Sequence, residues 1–542
     1  MIPIFTTDKI ILSNTKITNK IFVSGTHVSK TSSEQSLNSN NYIIKTNLQN
    51  NFGSCGWSNQ SNNNPIPFTL NTNVNLPQNN LQISCYPKKD WIYNASPIKN
   101  AIIFADTNIN AQLNKNVHVQ LYPNAYADFQ CPITYKPGQI TLSALSPYAM
   151  EKGKLKFQLK NVSKLNIGEY RYNYETDEII ISAPITDPLY VSTGKTSILI
   201  LNKATNCVFT NITFAGGVNG INMTDCSNIK FINCNFINIP KTALYIKTSS
   251  DITIQDCTFA NIGFGAIAMQ GCGSYMNLTD AKITIKNCIF KNCNKTKYTN
   301  APIIDTNNGV GLTITNCAFY NSTAAAINSK SNDTTISQCY FENCCSQTSD
   351  YGVVYEGRSL TRRGLIIHDC YFKKLSKSMS FPKNFIYCDD GYSGAHVYNC
   401  IFENVDVGNN CFFSFGRDHL IENCTFINVY RSIKIPTPRM PHLTCITEYN
   451  AVMKNKNQKN IFIKAYPSLA IPIDLSKKYI IPKLTLKNCN FCFNDPVKKI
   501  ISSFLSIAKQ AQFIHLNSQI LPISRHLPNK ASMSIPIIKF SA

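Results

Sequence analysis

Short stretches of alternating apolar and polar residues recur through the middle of the chain. Most follow the pattern (apolar)x(apolar)xNCxFxN, as in ITIKNCIFKN at residues 283–292. Because side chains of a β-strand point alternately to its two sides, this period of two predicts strands with one buried side. Ten copies of the motif CxF belong to this repeat, with their cysteines at Cys207, Cys234, Cys257, Cys288, Cys317, Cys339, Cys370, Cys400, Cys424 and Cys489.

The spacing of these motifs predicts a repetitive fold. Up to Cys424 they lie 22 to 31 residues apart, while the pattern around each cysteine is constant. Constant strands with connections of variable length indicate a solenoid in which each repeat is one coil, with strands stacked about 4.8 Å apart. We therefore predict an all-β chain folded as a parallel β-helix (solenoid), right-handed by analogy with β-crossovers.

Two further features of the repeat refine this prediction. Asn before Cys suits a corner with left-handed backbone conformation, and the inward cysteines are expected to be free thiols that pack a cysteine-rich core. A third strand is expected before each NCxF unit. Six examples lie at residues 242–247, 265–270, 324–329, 352–357, 384–390 and 411–416.

The repeat also predicts the domain organisation. Residues 1–190 are expected to form a β-rich N-terminal region that packs on the helix and caps it, because an open solenoid end would pair with other chains. Residues 191–495 hold the β-helix, with a long insertion around 430–482 next to the groove. Residues 496–542 are expected to form a C-terminal cap or tail, and the pattern at 501–513 resembles an amphipathic helix.

Charge and composition narrow the range of partners. With 52 Lys+Arg against 30 Asp+Glu the net charge is +22, which attracts acidic polysaccharides, nucleic acids or anionic membranes. The basic residues are scattered, so we expect a diffuse basic surface with neither a nucleic-acid nor a membrane partner. The eight histidines are scattered too, so no metal or other cofactor is expected, and His419 is expected to face solvent.

The start of the chain, MIPIFTTDKIILSN, lacks the apolar stretch of a secretory signal. No run approaches the roughly 20 apolar residues of a membrane helix. An intracellular or virion-associated protein is therefore favoured over a classically secreted one, and the oligomeric state stays open.

Candidate chemistry follows the third strand on three consecutive coils, within residues 345–373, 384–402 and 414–426. Each coil places carboxylate or guanidinium groups there, so such groups would lie one or two coils apart. A carboxylate pair at that spacing can perform the acid/base or nucleophilic work of glycoside hydrolysis. Tyr355 and Tyr387 share one strand position, where they would form either a sugar-stacking platform or an inward ladder.

These segments resemble the right-handed β-helix family that includes glycoside hydrolase family 141, within the pectate-lyase-like superfamily. Residues 345–364 resemble its run CxETxDAGAIYxGRxxTxRG, residues 386–402 its IYLDDGxSGxxVYGNxF, and residues 416–426 its GGRDNxxENNxF. The likeness extends to IGEYRYNYETDEIIISAP at 167–184 and IFVSGTHVSKT at 21–31, and so covers most of residues 20–495. Fucosidase and xylanase activities are known in this family.

The resemblance implies roles for particular residues. Asp350 and one of Asp389 and Asp390 would form the catalytic carboxylate pair, one protonated and the other ionised. The arginines would bind sugar hydroxyls or a substrate carboxylate, or would instead form salt bridges with neighbouring carboxylates. The expected substrate-binding residues are Glu356, Arg358, Arg363, Tyr355, Tyr387, Arg417 and Asp418.

The resemblance predicts a glycoside hydrolase-like protein that cleaves a polysaccharide with a carboxylate pair in a groove along the helix. Two alternatives stay open. One is a non-catalytic structural or glycan-binding β-helix protein, such as a surface or virion component. The other is a polysaccharide lyase, which would need a calcium-binding acidic cluster and an Arg or Lys base.

Overall fold

The structure is a computed structural model. It describes residues 16–18, 25–28, 41–45, 71–72, 82–83, 85–87, 92, 96–98, 101–103, 117–124, 126–136, 138–150, 155–166, 169–173, 178–182, 189–192, 197–215, 217–377, 381–437, 441–470, 483–493, 505–507 and 512–522.

Most of the described chain winds into parallel coils, and the strands of successive coils stack into three faces. Face 1 contains Leu199–Asn202, Ile221–Thr224, Leu244–Lys247, Ile267–Gln270, Tyr351–Glu356, Lys383–Cys388, Asn410–Ser414, Ile433–Ile435 and Leu505–Ile507. Face 2 contains Lys16–Thr18, Thr205–Thr210, Ser227–Ile232, Ser250–Gln255, Ile283–Lys286, Leu365–His368, His396–Tyr398, His419–Glu422, Lys483–Lys487 and Gln512–Leu516. The long strands Ile304–Thr315 and Ile327–Ser337 run through both of these faces.

Face 3 closes each coil. It contains Thr213–Ala215, Asn235–Ile237, Thr258–Ala260, Ile289–Lys291, Ala318–Tyr320, Tyr340–Glu342, Tyr371–Leu375, Ile401–Val405, Thr425–Val429, Asn490–Phe493 and Gln519–Pro522. All pairings within the three faces are parallel, as in the pairs Phe290 with Phe319 and Ile314 with Ile336. The predicted parallel β-helix is therefore confirmed, and so are the six predicted strands before the NCxF units.

A ladder of stacked phenylalanine rings fills the interior beside face 3. The centroids of successive rings lie 4.6 to 5.1 Å apart, and the ring planes are nearly parallel. Such offset stacking adds to the free energy gained by burying the rings. The ladder consists of Phe214, Phe236, Phe259, Phe290, Phe319, Phe341, Phe372, Phe402, Phe426 and Phe491.

Nine of the ten CxF motifs place their cysteine beside this ladder, as Cys288 and Cys317 do, and all nine thiols are buried. The first motif is an exception to the prediction. Cys207 and Phe209 lie on face 2, where Phe209 stacks on Phe231 with ring centroids 4.9 Å apart. The residue pattern of this motif is the same as in the other nine, but the corner from face 2 to face 3 comes after Phe209 and not before Cys207. The described cysteines are free thiols.

The corner between faces 2 and 3 is built as predicted, with a left-handed residue immediately before the cysteine. Asn287 and Asn316 have φ values of 55° and 51°. The amide of Asn316 donates to Oδ1 of Asn287 on the preceding coil at 2.9 Å. Asparagine tolerates this backbone conformation and also links the coils, which explains why the motif reads NC so often.

The N-terminal part of the chain contains three further sheets. A seven-stranded antiparallel sheet contains Cys85–Tyr86, Lys156–Lys160, His118–Tyr122, Phe129–Lys136, Gln139–Leu142, Ala101–Ile103 and Ser96–Ile98. A four-stranded sheet contains Asn41–Lys45, Glu178–Ser182, Glu169–Asn173 and Gln82–Ile83, and a three-stranded sheet contains Gly25–Val28, Leu189–Ser192 and Asn71–Thr72. Lys16–Thr18 pairs with Val208–Thr210 at the first coil.

The buried carboxylate of Asp128 joins the seven-stranded sheet to the β-helix. Its Oδ1 accepts hydrogen bonds from the amide and the hydroxyl of Thr299, at 3.0 and 2.5 Å, and its Oδ2 accepts from the amide of Tyr298 at 3.1 Å. Burial raises the pKa of Asp128. Because residues 298 and 299 belong to the turn from face 3 to face 1, the sheet packs along one edge of face 1.

The insertion after Ile433–Ile435 packs at the opposite edge of face 1. It contains the helices Leu443–Lys454 and Lys456–Ala465 and the 3-10 helix Pro467–Ala470. Cys445 and Tyr449 pack on Leu360 in the turn from face 1 to face 2. Face 1 therefore lies between the N-terminal sheet and this helical insertion. No described helix is long and apolar enough to span a membrane.

The coils continue beyond residue 495. Leu505–Ile507, Gln512–Leu516 and Gln519–Pro522 extend faces 1, 2 and 3 respectively. The expectation of an amphipathic helix at 501–513 is wrong for the described part of that segment, because residues 505–507 and 512–513 are in strands. Residues 523–542, where the rest of the expected C-terminal cap lies, are outside the described residues.

Candidate active site

An aromatic cluster covers the outside of face 1. Tyr355, Tyr387 and Phe413 occupy one position on three consecutive strands, and the residue before each of them points into the core. The centroids of Tyr355 and Tyr387 lie 5.4 Å apart, and those of Tyr387 and Phe413 lie 4.8 Å apart. The two tyrosines thus lie on the outer surface and do not form an inward ladder. Tyr387 is only 2% exposed, so its neighbours already cover its ring.

The carboxylate of Asp389 lies between these two tyrosines. Oδ2 accepts a hydrogen bond from the Tyr355 hydroxyl at 2.9 Å, and Oδ1 accepts from the Tyr387 hydroxyl at 3.0 Å. The backbone amide of Asp390 donates to the same Oδ1 at 2.8 Å. Gly357 makes room for this arrangement, because a Cβ atom there would lie 2.9 Å from Cβ of Asp389.

Asp350 reaches the same tyrosine from the preceding coil. It occupies a left-handed corner position, with φ 54°, immediately before the strand Tyr351–Glu356. Its Oδ1 lies 3.5 Å from the Tyr387 hydroxyl. The Tyr387 hydroxyl therefore lies within 3.5 Å of a carboxylate oxygen of both Asp350 and Asp389.

Asp390 and Arg358 form an ion pair at the edge of the cluster. Nε of Arg358 lies 3.5 Å from Oδ2 of Asp390, with the two side chains 65% and 14% exposed. This is one of the salt bridges that the sequence left as an alternative for the arginines. Because Arg358 is mostly exposed, its guanidinium remains accessible to a ligand.

Glu356 does not lie where a substrate-binding residue would. It is fully buried inside the coil, where Oε1 accepts hydrogen bonds from the Gly357 amide at 3.1 Å and from Nε of Arg362 at 3.0 Å. Burial raises the pKa of Glu356 to about 7, although the Arg362 guanidinium acts in the opposite direction. The expectation that Glu356 binds substrate is corrected, since its side chain points inward like that of Val354.

Arg363, Arg417 and Asp418 are grouped elsewhere, on the turns that the helical insertion covers. Nη1 of the buried Arg363 donates to the carbonyl oxygens of Leu360 and Arg362, at 3.0 and 2.7 Å. Burial lowers the pKa of Arg363 to about 10. The structure thus places these three predicted binding residues in the packing of the turns.

Arg417 and Asp418 pair with each other in the same region. Nε of Arg417 lies 3.3 Å from Oδ2 of Asp418, and its Nη2 donates to the carbonyl oxygen of Ser468 in the insertion at 3.2 Å. His419, expected to face solvent, is buried instead: its Nδ1 accepts from the Ala395 amide, and burial lowers its pKa to about 3.

Several residues near the carboxylate pair have no counterpart in the sequence motifs. Lys434 pairs in register with Phe413, and its Nζ lies 5.0 Å from the centroid of that ring. Asp305 and Asn328 occupy the same position on earlier coils, where the Asn328 amide donates to Asp305 at 2.8 Å. Burial raises the pKa of Asp305. Only the pairing of the face 1 strands shows that these three residues share one position, and no sequence motif marks them.

The described residues contain no group of three or more His, Cys, Asp and Glu side chains arranged to hold a metal ion. The polar groups of the carboxylate cluster are instead paired with tyrosine hydroxyls, backbone amides and an arginine. The arrangement can bind polar ligands and can move protons between carboxyl groups and a ligand.

A family model described as a right handed beta helix region matches residues 172–301 and 219–402. This chain contains a right-handed β-helix region. The β-helix continues beyond the matched residues, to the strand Gln519–Pro522. No curated protein sequence matches the chain significantly.

Three solved structures are similar to this chain. One is titled glycoside hydrolase, with 10% identity, a TM-score of 0.45, and coverage of 95% of this chain and 83% of its own. An alginate lyase from Paenibacillus sp. str. FPU-7 has 13% identity, a TM-score of 0.33, and coverage of 41% and 76%. The catalytic unit of a thermostable GH87 alpha-1,3-glucanase from Streptomyces thermodiastaticus strain HF3-3 has 9% identity, a TM-score of 0.35, and coverage of 62% and 86%.

Proposed function

We propose that this β-helix protein hydrolyses glycosidic bonds of a polysaccharide that lies along face 1, with Asp350 and Asp389 as the carboxylate pair. The observation that carries the proposal is their shared contact with one hydroxyl, that of Tyr387. Two carboxyl groups from neighbouring coils can then act on opposite sides of one glycosidic bond.

The surroundings of the two carboxylates suggest different roles. Asp389 accepts hydrogen bonds from two tyrosine hydroxyls and one amide, and such donors stabilise negative charge. We assign Asp389 as the nucleophile or base. Asp350, whose contact with Tyr387 is the longer one, is assigned as the acid that protonates the leaving oxygen.

The spacing of the pair favours a retaining mechanism. The Oδ1 atoms of Asp350 and Asp389 lie 3.5 and 3.0 Å from the Tyr387 hydroxyl, so they are no further apart than the sum of these two distances. That sum only reaches the lower limit of the ~6.5–9.5 Å that separates the carboxyl groups of inverting enzymes. Retaining enzymes hold their carboxyl groups ~5–5.5 Å apart and form a covalent glycosyl-enzyme intermediate. On this assignment the intermediate would form at Asp389.

The resemblance to glycoside hydrolase family 141 supports the proposal. Asp350, Arg358, Asp389 and Asp390 all lie in the segments that match the family's motifs, and here they surround one aromatic cluster. Arg358, exposed beside Asp390, is assigned to bind sugar hydroxyls or an acidic group.

The proposal is tested by incubating purified protein with a panel of xylans, fucosylated glycans and uronate-containing polysaccharides, and measuring new reducing ends. Wild-type protein should release product from at least one substrate, and Asp350→Asn and Asp389→Asn should abolish that release. Asp369→Asn is the matched control, because Asp369 occupies a left-handed corner on the other side of the same coil. No release from any glycan, or full activity in the two site variants, contradicts the proposal.

One observation favours a second candidate, a polysaccharide lyase. Burial lowers the pKa of Lys434, which would help it to act as a base near the aromatic cluster. Elimination gives an unsaturated product that absorbs in the ultraviolet, whereas hydrolysis does not. Product absorbance that depends on Lys434 and not on Asp389 would therefore favour the lyase.

A further inference from the structure

Two cations lie on face 1 just beyond the carboxylate pair. Lys434 lies two coils after Tyr387, at the same strand position, and its Nζ lies 5.0 Å from the centroid of the intervening Phe413 ring. Arg431, shortly before the same strand, donates from Nη1 to Oδ1 of Asn410 at 3.1 Å. This hydrogen bond and the aromatic ring hold both side chains in place.

None of the salt bridges among the described residues involves Arg431 or Lys434. Burial lowers the pKa of Lys434, Arg431 lowers it further, and the carboxylate of Asp350 acts in the opposite direction. Holding two partly buried cations side by side costs free energy, which a bound anion would offset.

The neighbouring rings add an apolar surface of the kind that sugars contact. Phe415 is partly buried, and its centroid lies 5.1 Å from that of Phe413. An aromatic surface beside Arg and Lys donors suits a sugar that carries both an apolar face and an acidic group. The net charge of +22 would also attract an acidic polysaccharide from a distance.

We propose that Arg431 and Lys434 form an anion subsite for a carboxylate or sulfate group of a sugar, so that the substrate is an acidic polysaccharide. The subsite rests on the proposed function, because it specifies which glycan would lie along face 1. It lies beyond Asp389 toward the later coils, and its acidic group would belong to a sugar next to the cleaved bond or one unit further on.

Binding in the catalytically silenced Asp389→Asn protein tests the subsite. The probes are a six-residue oligogalacturonate, its carboxyl-reduced neutral form and a sulfated neutral galactan oligosaccharide, each titrated at low and high salt by calorimetry. The variants are Arg431→Met and Lys434→Met, which keep the apolar stems, and Lys434→Arg, which keeps the charge. Lys247→Met is the matched control, since Lys247 is an exposed lysine of face 1 several coils away. Unfolding midpoints check that each variant is folded.

At least one acidic probe should bind about tenfold more tightly than the neutral form, and more weakly at high salt. Each Met substitution should remove most of that preference, while Lys434→Arg and Lys247→Met retain it. A preference for the oligogalacturonate assigns a carboxylate, and a preference for the galactan assigns a sulfate. Equal binding of the neutral form, no binding of any probe, or an equal loss in Lys247→Met overturns the subsite.

The subsite and the hydrolase proposal can fail separately. Hydrolysis of a neutral glycan that is unaffected by Lys434→Met in the otherwise wild-type protein would overturn the subsite alone. Charge-dependent binding that needs Lys434, with no product from the wild-type protein, would overturn the hydrolase proposal alone.

Discussion

The hydroxyl of Tyr387 lies 3.0 Å from Oδ1 of Asp389, and the same hydroxyl lies 3.5 Å from Oδ1 of Asp350. A hydroxyl has one proton to donate, so it can stabilise only one of the two carboxylates at a time. Rotation of that proton would let Tyr387 serve whichever carboxylate is charged. The tyrosine is therefore a positioning residue that couples the pair.

Tyr387→Phe should lower kcat/KM by ~10- to 100-fold, because a hydrogen bond to a charged group contributes ~1.5–3 kcal/mol. Tyr355→Phe is the matched control, since the Tyr355 hydroxyl donates to Asp389. The pH–rate profile should change on both limbs in Tyr387→Phe and on one limb in Tyr355→Phe. Identical profiles for the two variants would show that Tyr387 does not couple the carboxylates.

Gly357→Ala should displace Asp389. The added Cβ atom would lie 2.9 Å from Cβ of Asp389 and 2.9 Å from the Tyr355 hydroxyl, too close for either to stay in place. We expect at least a tenfold loss of kcat/KM and a stability cost of ~1–3 kcal/mol, typical of overpacking. Activity assays and urea unfolding measure the two effects. Wild-type turnover in this variant would mean that the position of Asp389 is not critical.

The stability of the protein should depend on the ionisation of Glu356. Its pKa of about 7 in the folded protein lies above the ordinary value of 4.5, because burial disfavours the charged carboxylate. The contribution of Glu356 to stability is therefore fully present below the ordinary pKa and lost as the pH rises through 7. Glu356→Gln removes this titration.

Between about pH 4 and pH 8, we expect the unfolding free energy of the wild type to fall relative to that of Glu356→Gln by on the order of 3 kcal/mol. Chemical unfolding at a series of pH values gives this difference directly. A constant difference across the range would indicate that Glu356 stays ionised beside Arg362.

Phe319→Ala should destabilise the β-helix strongly. The Phe319 ring lies between Phe290 and Phe341, with centroid distances of 4.8 and 4.9 Å, and is fully buried. Removing it leaves a cavity within the ladder and should cost ~3–5 kcal/mol. Val407→Ala, at a 65% exposed position, should change stability by less than about 0.5 kcal/mol. Similar unfolding midpoints for the two variants would contradict the role of the ladder.

The fold was largely predictable because the same alternation of inward and outward side chains recurs in every coil. Cys288 and Phe290 follow their corner at positions that recur from coil to coil on face 3. This recurrence fixes which side chains point inward and how the coils stack. Cys207 and Phe209 show the limit of this reasoning, since the same letters occur on face 2 when the corner lies after them.

The site was predictable only in part. The same period that turns Val354 inward also turns Glu356 inward, so its burial could have been read from GVVYEG. By contrast, the placement of Lys434 over Phe413 depends on pairing between strands with a turn of variable length between them. No local pattern specifies such contacts. The packing of the helical insertion on Leu360 is equally non-local.

The most direct test of the central claim is a double-mutant cycle on kcat/KM with Asp350→Asn, Asp389→Asn and the variant that combines them. Because residues that act as one catalytic unit are not additive, each single substitution should lower kcat/KM by ~10³-fold or more, and the combined variant should be no worse than the more impaired single variant. Independent, additive losses, or near-wild-type activity in either single variant, would show that Asp350 and Asp389 do not form a catalytic pair.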